Sequence, residues 1–152
     1  MKSVDAEAPI IAAAAPGQHR REPGGNVELS SLQFADVLVA APVGPIDHTQ
    51  STRLQPALAP LVQQAANARS ALVLDLSRVG YVSSMGLRVL MIAAKELRSH
   101  GARIAVAAMQ PIVAEIFDIA RFGHVVEVFP SVHAALEAVS APALAAYEAA
   151  SR

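Results

Sequence analysis

The chain has 152 residues, a formal net charge of −1 and 53% hydrophobic residues, many of them alanine. That length supports one domain with a core plus some tail, and the near-zero charge argues against nucleic acid or an anionic membrane surface as a bulk electrostatic partner. There is no cysteine, which excludes disulfides, thiolate metal sites and a cysteine nucleophile and suits a reducing cytoplasm; aromatic residues are 4% with no Trp, which weakens base or sugar stacking.

Residues 1–26 are rich in Ala, Pro, Gly and charge without sustained periodicity, and read as a flexible N-terminal tail. "APIIAAAAPG" resembles a signal-peptide core, but Asp5 and Glu7 outnumber Lys2 before it and it holds no leucine. No apolar run approaches the roughly twenty residues of a membrane span. Order is expected over residues 27–140. "VELSSLQF" alternates weakly, and "DVLVAAPVG" is a valine-rich strand closed by Pro and Gly. The two form a hairpin at one sheet edge.

In "PIDHTQSTRLQPALAPLVQQAAN", Asp47, Thr49 and Ser51 supply turn and cap residues, and Leu54, Leu58, Leu61 and Val62 follow at helical spacing. Pro56 is tolerated if the first turn begins near it, whereas Pro60 predicts a kink or a restart. "SALVLDLSRV" has the unbroken apolar character of a central strand covered on both faces, with Asp75 bonding nearby backbone at its end. Leu87, Leu90, Met91, Ala94 and Leu97 mark the core stripe of the next helix, which stops at Gly101 with His100 as a C-terminal cation.

"ARIAVAAM" is a buried strand, and "QPIVAEIFDIARFG" a helix from Pro111 to an end at Gly123. "HVVEVF" is a short strand, and "PSVHAALEAVSA" a helix capped by Ser131. Residues 141–152 read as a C-terminal tail or a frayed helix. The order is β, β, α, β, α, β, α, β, α: an α/β fold with a mixed sheet of about five strands and about four helices packed on it.

Catalytic signatures are missing. There is no G-x-x-x-x-G-K-[ST] loop, no G-x-G-x-x-G fingerprint and no G-x-S-x-G elbow. The histidines His19, His48, His100, His124 and His133 are scattered, with no partner at a metal-ligand offset. What remains is "RVGYVSSMGLRVL", where a strand gives way to a helix at Ser83 and Ser84. A serine there has an ordinary use as an N-cap, contributing about 1 kcal/mol. The same geometry suits a switch, because a helix N-terminus is locally hospitable to phosphate.

"LVLDLSRVGYVSSMGLRVL" resembles the core motif of STAS domains, specifically of bacterial anti-sigma-factor antagonists: an apolar strand ending D-L-S, an aromatic, an aliphatic, a D-S-[ST]-G-L turn and a helix. "VGPIDHTQSTRLQPAL" resembles the family's G-x-[LI]-D segment, and "GARIAVAAMQPIVAEIFDIARFGHVVEVFPSVHAAL" its strand–helix–strand–helix end, so the likeness spans roughly residues 30 to 140. The resemblance implies a STAS fold and a binding module rather than an enzyme, with no cofactor or metal. It implies a cytoplasmic partner-switching pathway that controls transcription. The partners would be an anti-sigma factor that is also a GHKL-type serine kinase, and a PP2C-type phosphatase that reverses it.

Carried onto this chain, the phosphorylation acceptor falls on Ser84, with Ser83 as the substitute. Gly86 and Leu87 match the family's Gly-Leu, and Asp47 its acidic residue near the acceptor. The chain departs from the pattern at Ser83, where the family has Asp, at Met85, where it has Ser or Thr, and at Arg88, where Gly is frequent. Beside the core stripe, Met85, Arg88, Val89 and Ile92 form a face more apolar than solvation requires, readable as a docking patch or as a face that another helix covers. An alternative within the same fold is an accessory subunit of a membrane transporter, docking without phosphorylation. A hydrolase-like grouping of Ser84, Asp47 and His48 is the remote third reading.

Overall fold

The structure, a computed structural model, describes residues 28–151; the N-terminal tail assigned to residues 1–26 lies outside them. Five strands form one sheet in the spatial order β1 (Glu28–Phe34), β2 (Val37–Val43), β3 (Ala71–Asp75), β4 (Arg103–Ala107) and β5 (Glu127–Phe129). β1 and β2 are an antiparallel hairpin closed by the two residues Ala35 and Asp36, with Ala35 at φ 54°. The other neighbours are parallel, so each connection must cross over the sheet through a helix. These crossovers are α1 (His48–Ala68), α2 (Ser84–Ser99) and α3 (Pro111–Ile119), followed after β5 by α4 (Val132–Val139) and α5 (Ala141–Ala150).

Successive side chains of a strand point to opposite faces, and the sequence sorts them by size. Leu38 and Ala40, Leu72 and Leu74, and Ile104 and Val106 face α1, α2 and α3. Val37 and Val39, Ala71 and Val73, and Ala105 and Ala107 face α4 and α5. The first face carries the main core, and the second is built from smaller side chains that two short helices cover. At the β5 side, Arg103 donates to both oxygens of Glu127, at 2.9 and 2.6 Å. Those bonds raise the guanidinium pKa further. With both groups largely solvated, the pair contributes register more than stability.

Several expectations change. α1 runs unbroken through Pro56 and Pro60. Both prolines are exposed, so the carbonyls of Thr52 and Pro56, which lose their donors, can be solvated. α3 ends at Ile119 rather than at Gly123; Arg121 takes the left-handed conformation at φ 56° and a short 3-10 turn covers Phe122–His124. The departure buries Phe122 against Phe117, with ring centroids 4.9 Å apart. That burial offsets the roughly 1–2 kcal/mol a non-glycine residue loses at left-handed φ.

Residues 141–150, expected as a tail or a frayed helix, are a helix packed on the sheet, the fifth α-helix among the described residues. Ser140 caps α5 through Ala143 N–H, and its hydroxyl donates to Asp36 at 2.7 Å. Tyr147 meets Phe34 edge-on at 5.4 Å. Ser131 caps α4 as expected, and the Asp75 carboxylate accepts from Ser77 N–H at 3.0 Å.

Leu74 is 1% exposed at the centre of the larger core. Leu74→Ala is expected to cost about 2–5 kcal/mol, read as a lower urea midpoint with an unchanged denaturant slope.

Candidate functional site

All four parallel strands deliver their chains to the same rim of the sheet, and two of the resulting loops are joined by backbone. Gly44 N–H donates to Arg78 C=O at 2.9 Å, Ile46 N–H to Tyr81 C=O at 2.8 Å, and Ser83 N–H to Ile46 C=O at 2.8 Å. The middle of this ladder is a parallel bridge between Ile46 and Val82, both buried. Its effect is to set the first residues of α1 and α2 side by side. A third loop is tied on where Gln110 Nε2 donates to Ser77 C=O at 2.9 Å, which brings the start of α3 to the same rim.

Each of the two helices has its own cap. Asp47 takes extended backbone and its carboxylate accepts from Gln50 N–H at 2.8 Å. Ser83 does the same for α2, its hydroxyl accepting from Gly86 N–H at 3.1 Å. The two serines therefore have different jobs. Ser83 is half-buried and committed to the cap; Ser84 is the first helical residue and exposed. Among the described residues the Ser84 hydroxyl makes no hydrogen bond. Neither helix carries an acidic residue in its first turn, so the partial positive charge of the free N–H groups is offset only by the Asp47 carboxylate.

Gly86 explains how the bridge and the helix coexist. A Cβ there would lie 2.8 Å from Ile46 Cγ2, 2.9 Å from Val82 Cγ1 and 3.2 Å from Ile46 C=O. Only glycine lets α2 begin against the bridge. This corrects one expectation: Gly86 is buried packing, not part of a binding surface. A second correction concerns Val89, which is 5% exposed and belongs to the core. α2 packs on α1 as well as on the sheet, so its buried arc is wider than one stripe and takes in Gly86, Val89 and Ala93 beside Leu90, Ala94 and Leu97. Leu87 and Met91, expected in the stripe, are only partly buried at its margin.

The exposed remainder is Met85 at 38%, Ile92 at 43%, and Arg88 between them. Residues 85, 88 and 92 fall on one line of the helix. Two neighbours were not singled out in the sequence: Tyr81, in the loop just before the bridge, and Ile112, in the first turn of α3, are 47% and 49% exposed. A lone apolar residue in a loop or first turn belongs to no period, so pattern reading passes over it. Asp47 is spent on its cap, and among the described residues His48 bonds neither Asp47 nor Ser84. Among the same residues no three His, Asp or Glu gather as metal ligands, and no helix is long and apolar enough to cross a membrane.

The family model for the STAS domain matches residues 29–135. The Bordetella bronchiseptica protein BtrV, described as an anti-sigma factor antagonist, is 31% identical over 104 residues, covering 68% of this chain and 84% of that protein. Among solved structures, an anti-sigma factor antagonist from Mycobacterium paratuberculosis superposes with a TM-score of 0.66 at 24% identity, over 74% of this chain and 93% of the other. The Bacillus cell fate determinant SpoIIAA in its phosphorylated form gives 0.54 at 15% identity, over 73% and 96%. These two establish likeness of fold.

The cap assignment separates the serines by stability. Ser83→Ala is expected to cost about 1 kcal/mol and Ser84→Ala less than about 0.5 kcal/mol. Gly86→Ala, although it improves helix propensity, is expected to lose about 1–3 kcal/mol through overpacking against Ile46 and Val82. Urea titrations of the three variants read the order directly.

Proposed function

This chain belongs to the STAS domain family, and on that footing we propose that it is an anti-sigma factor antagonist switched by phosphorylation of Ser84. It is a binding module without catalytic activity, working in the cytoplasm. Its partner is an anti-sigma factor of the GHKL serine-kinase type. Unphosphorylated, it holds that partner away from its sigma factor; phosphorylated, it lets go. A PP2C-type phosphatase restores binding. The likeness to BtrV supports the partner class.

The observation that carries the switch is the division of labour at the α2 N-terminus. Ser83 holds the cap, and Ser84 projects one residue later with an exposed hydroxyl. A phosphate on Ser84 adds about 1.5–2 negative charges beside free N–H groups. The helix tolerates it, so the fold need not change. The docking surface does change, because Met85, Leu87 and Arg88 lie within about one turn of the modified residue, Ile92 lies little more than two turns away, and Asp47 lies across the bridge. New negative charge there, next to an existing carboxylate, opposes an approaching surface that had closed over a neutral hydroxyl. Ser84 is favoured over Ser83 as acceptor because its oxygen is uncommitted.

Isothermal titration with a GHKL-type anti-sigma factor kinase from the same organism tests the reading. Ser84→Asp is expected to weaken the complex roughly a hundredfold, and Ser84→Ala to leave it within about twofold. Equal binding by the native chain and both variants would overturn the switch. In a kinase reaction with ATP, tandem mass spectrometry is expected to map one phosphate to Ser84; a phosphate confined to Ser83 reverses the assignment. A serine-reactive fluorophosphonate is expected to leave the chain unlabelled.

A further inference from the structure

The sheet has two edges, and the chain treats them differently. β5 is three residues long and sits beside the Arg103–Glu127 pair. β1 has seven residues, and among the described residues nothing pairs with its outer backbone row. Proteins that stay monomeric blunt such an edge with Lys, Pro, a bulge or short length. "ELSSLQF" has none of these. Its one charge is Glu28, at the first position, and its register with β2 runs without a bulge from Glu28–Val43 to Phe34–Val37. At its middle Leu32 is 51% exposed, on the face where Phe34 meets Tyr147.

We propose that β1 pairs with β1 of a second copy of this chain, antiparallel about a two-fold axis at Ser31, joining two five-stranded sheets into one. The hairpin dictates the register. A two-residue turn makes Phe34–Val37 a hydrogen-bonded pair, so Leu32 and Ser30 also bond inward to β2. Leu29, Ser31 and Gln33 then present their N–H and C=O groups outward. Centring the pairing on Ser31 uses all of them: Ser31 faces Ser31 of the second copy and Leu29 faces Gln33, for about six backbone bonds.

The side chains agree with that register. Each Leu32 faces Ser30 and lies diagonal to the other Leu32, about 7–8 Å away and within reach. The two Glu28 residues stand at opposite ends, about 20 Å apart, so no like charges meet. This self-complementarity selects a second copy over an unrelated strand. The two-fold also reverses the sheet, so the two rims that carry Ser84 point in opposite directions and both stay open.

Sedimentation equilibrium of the full chain from about 1 to about 300 µM tests it. The mass is expected to rise from 15.8 kDa toward twice that value. Leu32→Lys, on an exposed site, is expected to raise the dimer dissociation constant roughly tenfold or more with an unchanged circular dichroism spectrum, and with an unchanged Tm at dilutions where both chains are monomeric. Under oxidation Ser31→Cys is expected to form a disulfide dimer, its Cα atoms lying about 5.5 Å apart, whereas the Gln33→Cys pair, about 13 Å apart, is not. A monomer over the whole range overturns the proposal, whatever else covers β1, residues 1–27 included. So does a dimer that Leu32→Lys leaves intact, or one in which Gln33→Cys crosslinks as readily as Ser31→Cys.

Discussion

The backbone bridge between Ile46 and Val82 is the constraint on which the rest of the rim depends. Helices α1 and α2 leave different strands and would otherwise start at independent heights. Three interloop hydrogen bonds of 2.8–2.9 Å hold their first residues abreast. Burial of both bridging side chains makes the arrangement costly to open, because unpaired backbone groups there would be left without water. Gly86 is the concession the bridge requires: one side chain is given up so that a helix can start against it.

From that constraint follows the separation of the capping side chains from the exposed one. Asp47 and Ser83, the residues beside Ile46 and Val82, are each turned onto their own helix and cap it. Ser84 comes one step later, exposed, and among the described residues its hydroxyl bonds nothing. The polar groups that stabilise the rim and the exposed hydroxyl of Ser84 are adjacent in sequence and distinct in energy. A protein can modify the second without drawing on the first. The same geometry concentrates exposed apolar residues near Ser84, since Met85 and Ile92 lie on the α2 line that begins beside it.

The strands were legible because buried strands write themselves as short runs of Val, Leu, Ile and Ala between turn residues, and the strand–helix alternation then dictated a mostly parallel sheet. The motif around Ser83 and Ser84 was legible as a helix start. Which serine caps was not, since either spacing satisfies capping rules and only the Ile46–Ser83 bond decides it. Val89 was misplaced because a helical period describes one buried stripe, whereas α2 has two neighbours. Pro60 misled because a proline on the solvent face costs a bond without bending the chain away. Residues 141–150 were illegible as a packed element: their alanines distribute evenly around the helix, and the contacts that seat them come from Ser140 and Tyr147 reaching Asp36 and Phe34.

That last contact has a consequence for the order of events in synthesis. Asp36 sits in the hairpin turn, and the hydroxyl that reaches it belongs to a residue 104 positions later. The hairpin is among the first of the described elements to leave the ribosome, and its clamp among the last. For most of translation the face of β1 that carries Leu32 and Phe34 has no helix over it. The nascent chain therefore passes through a long interval with a naked apolar strip on that face of β1, and α5 acts as its late closure.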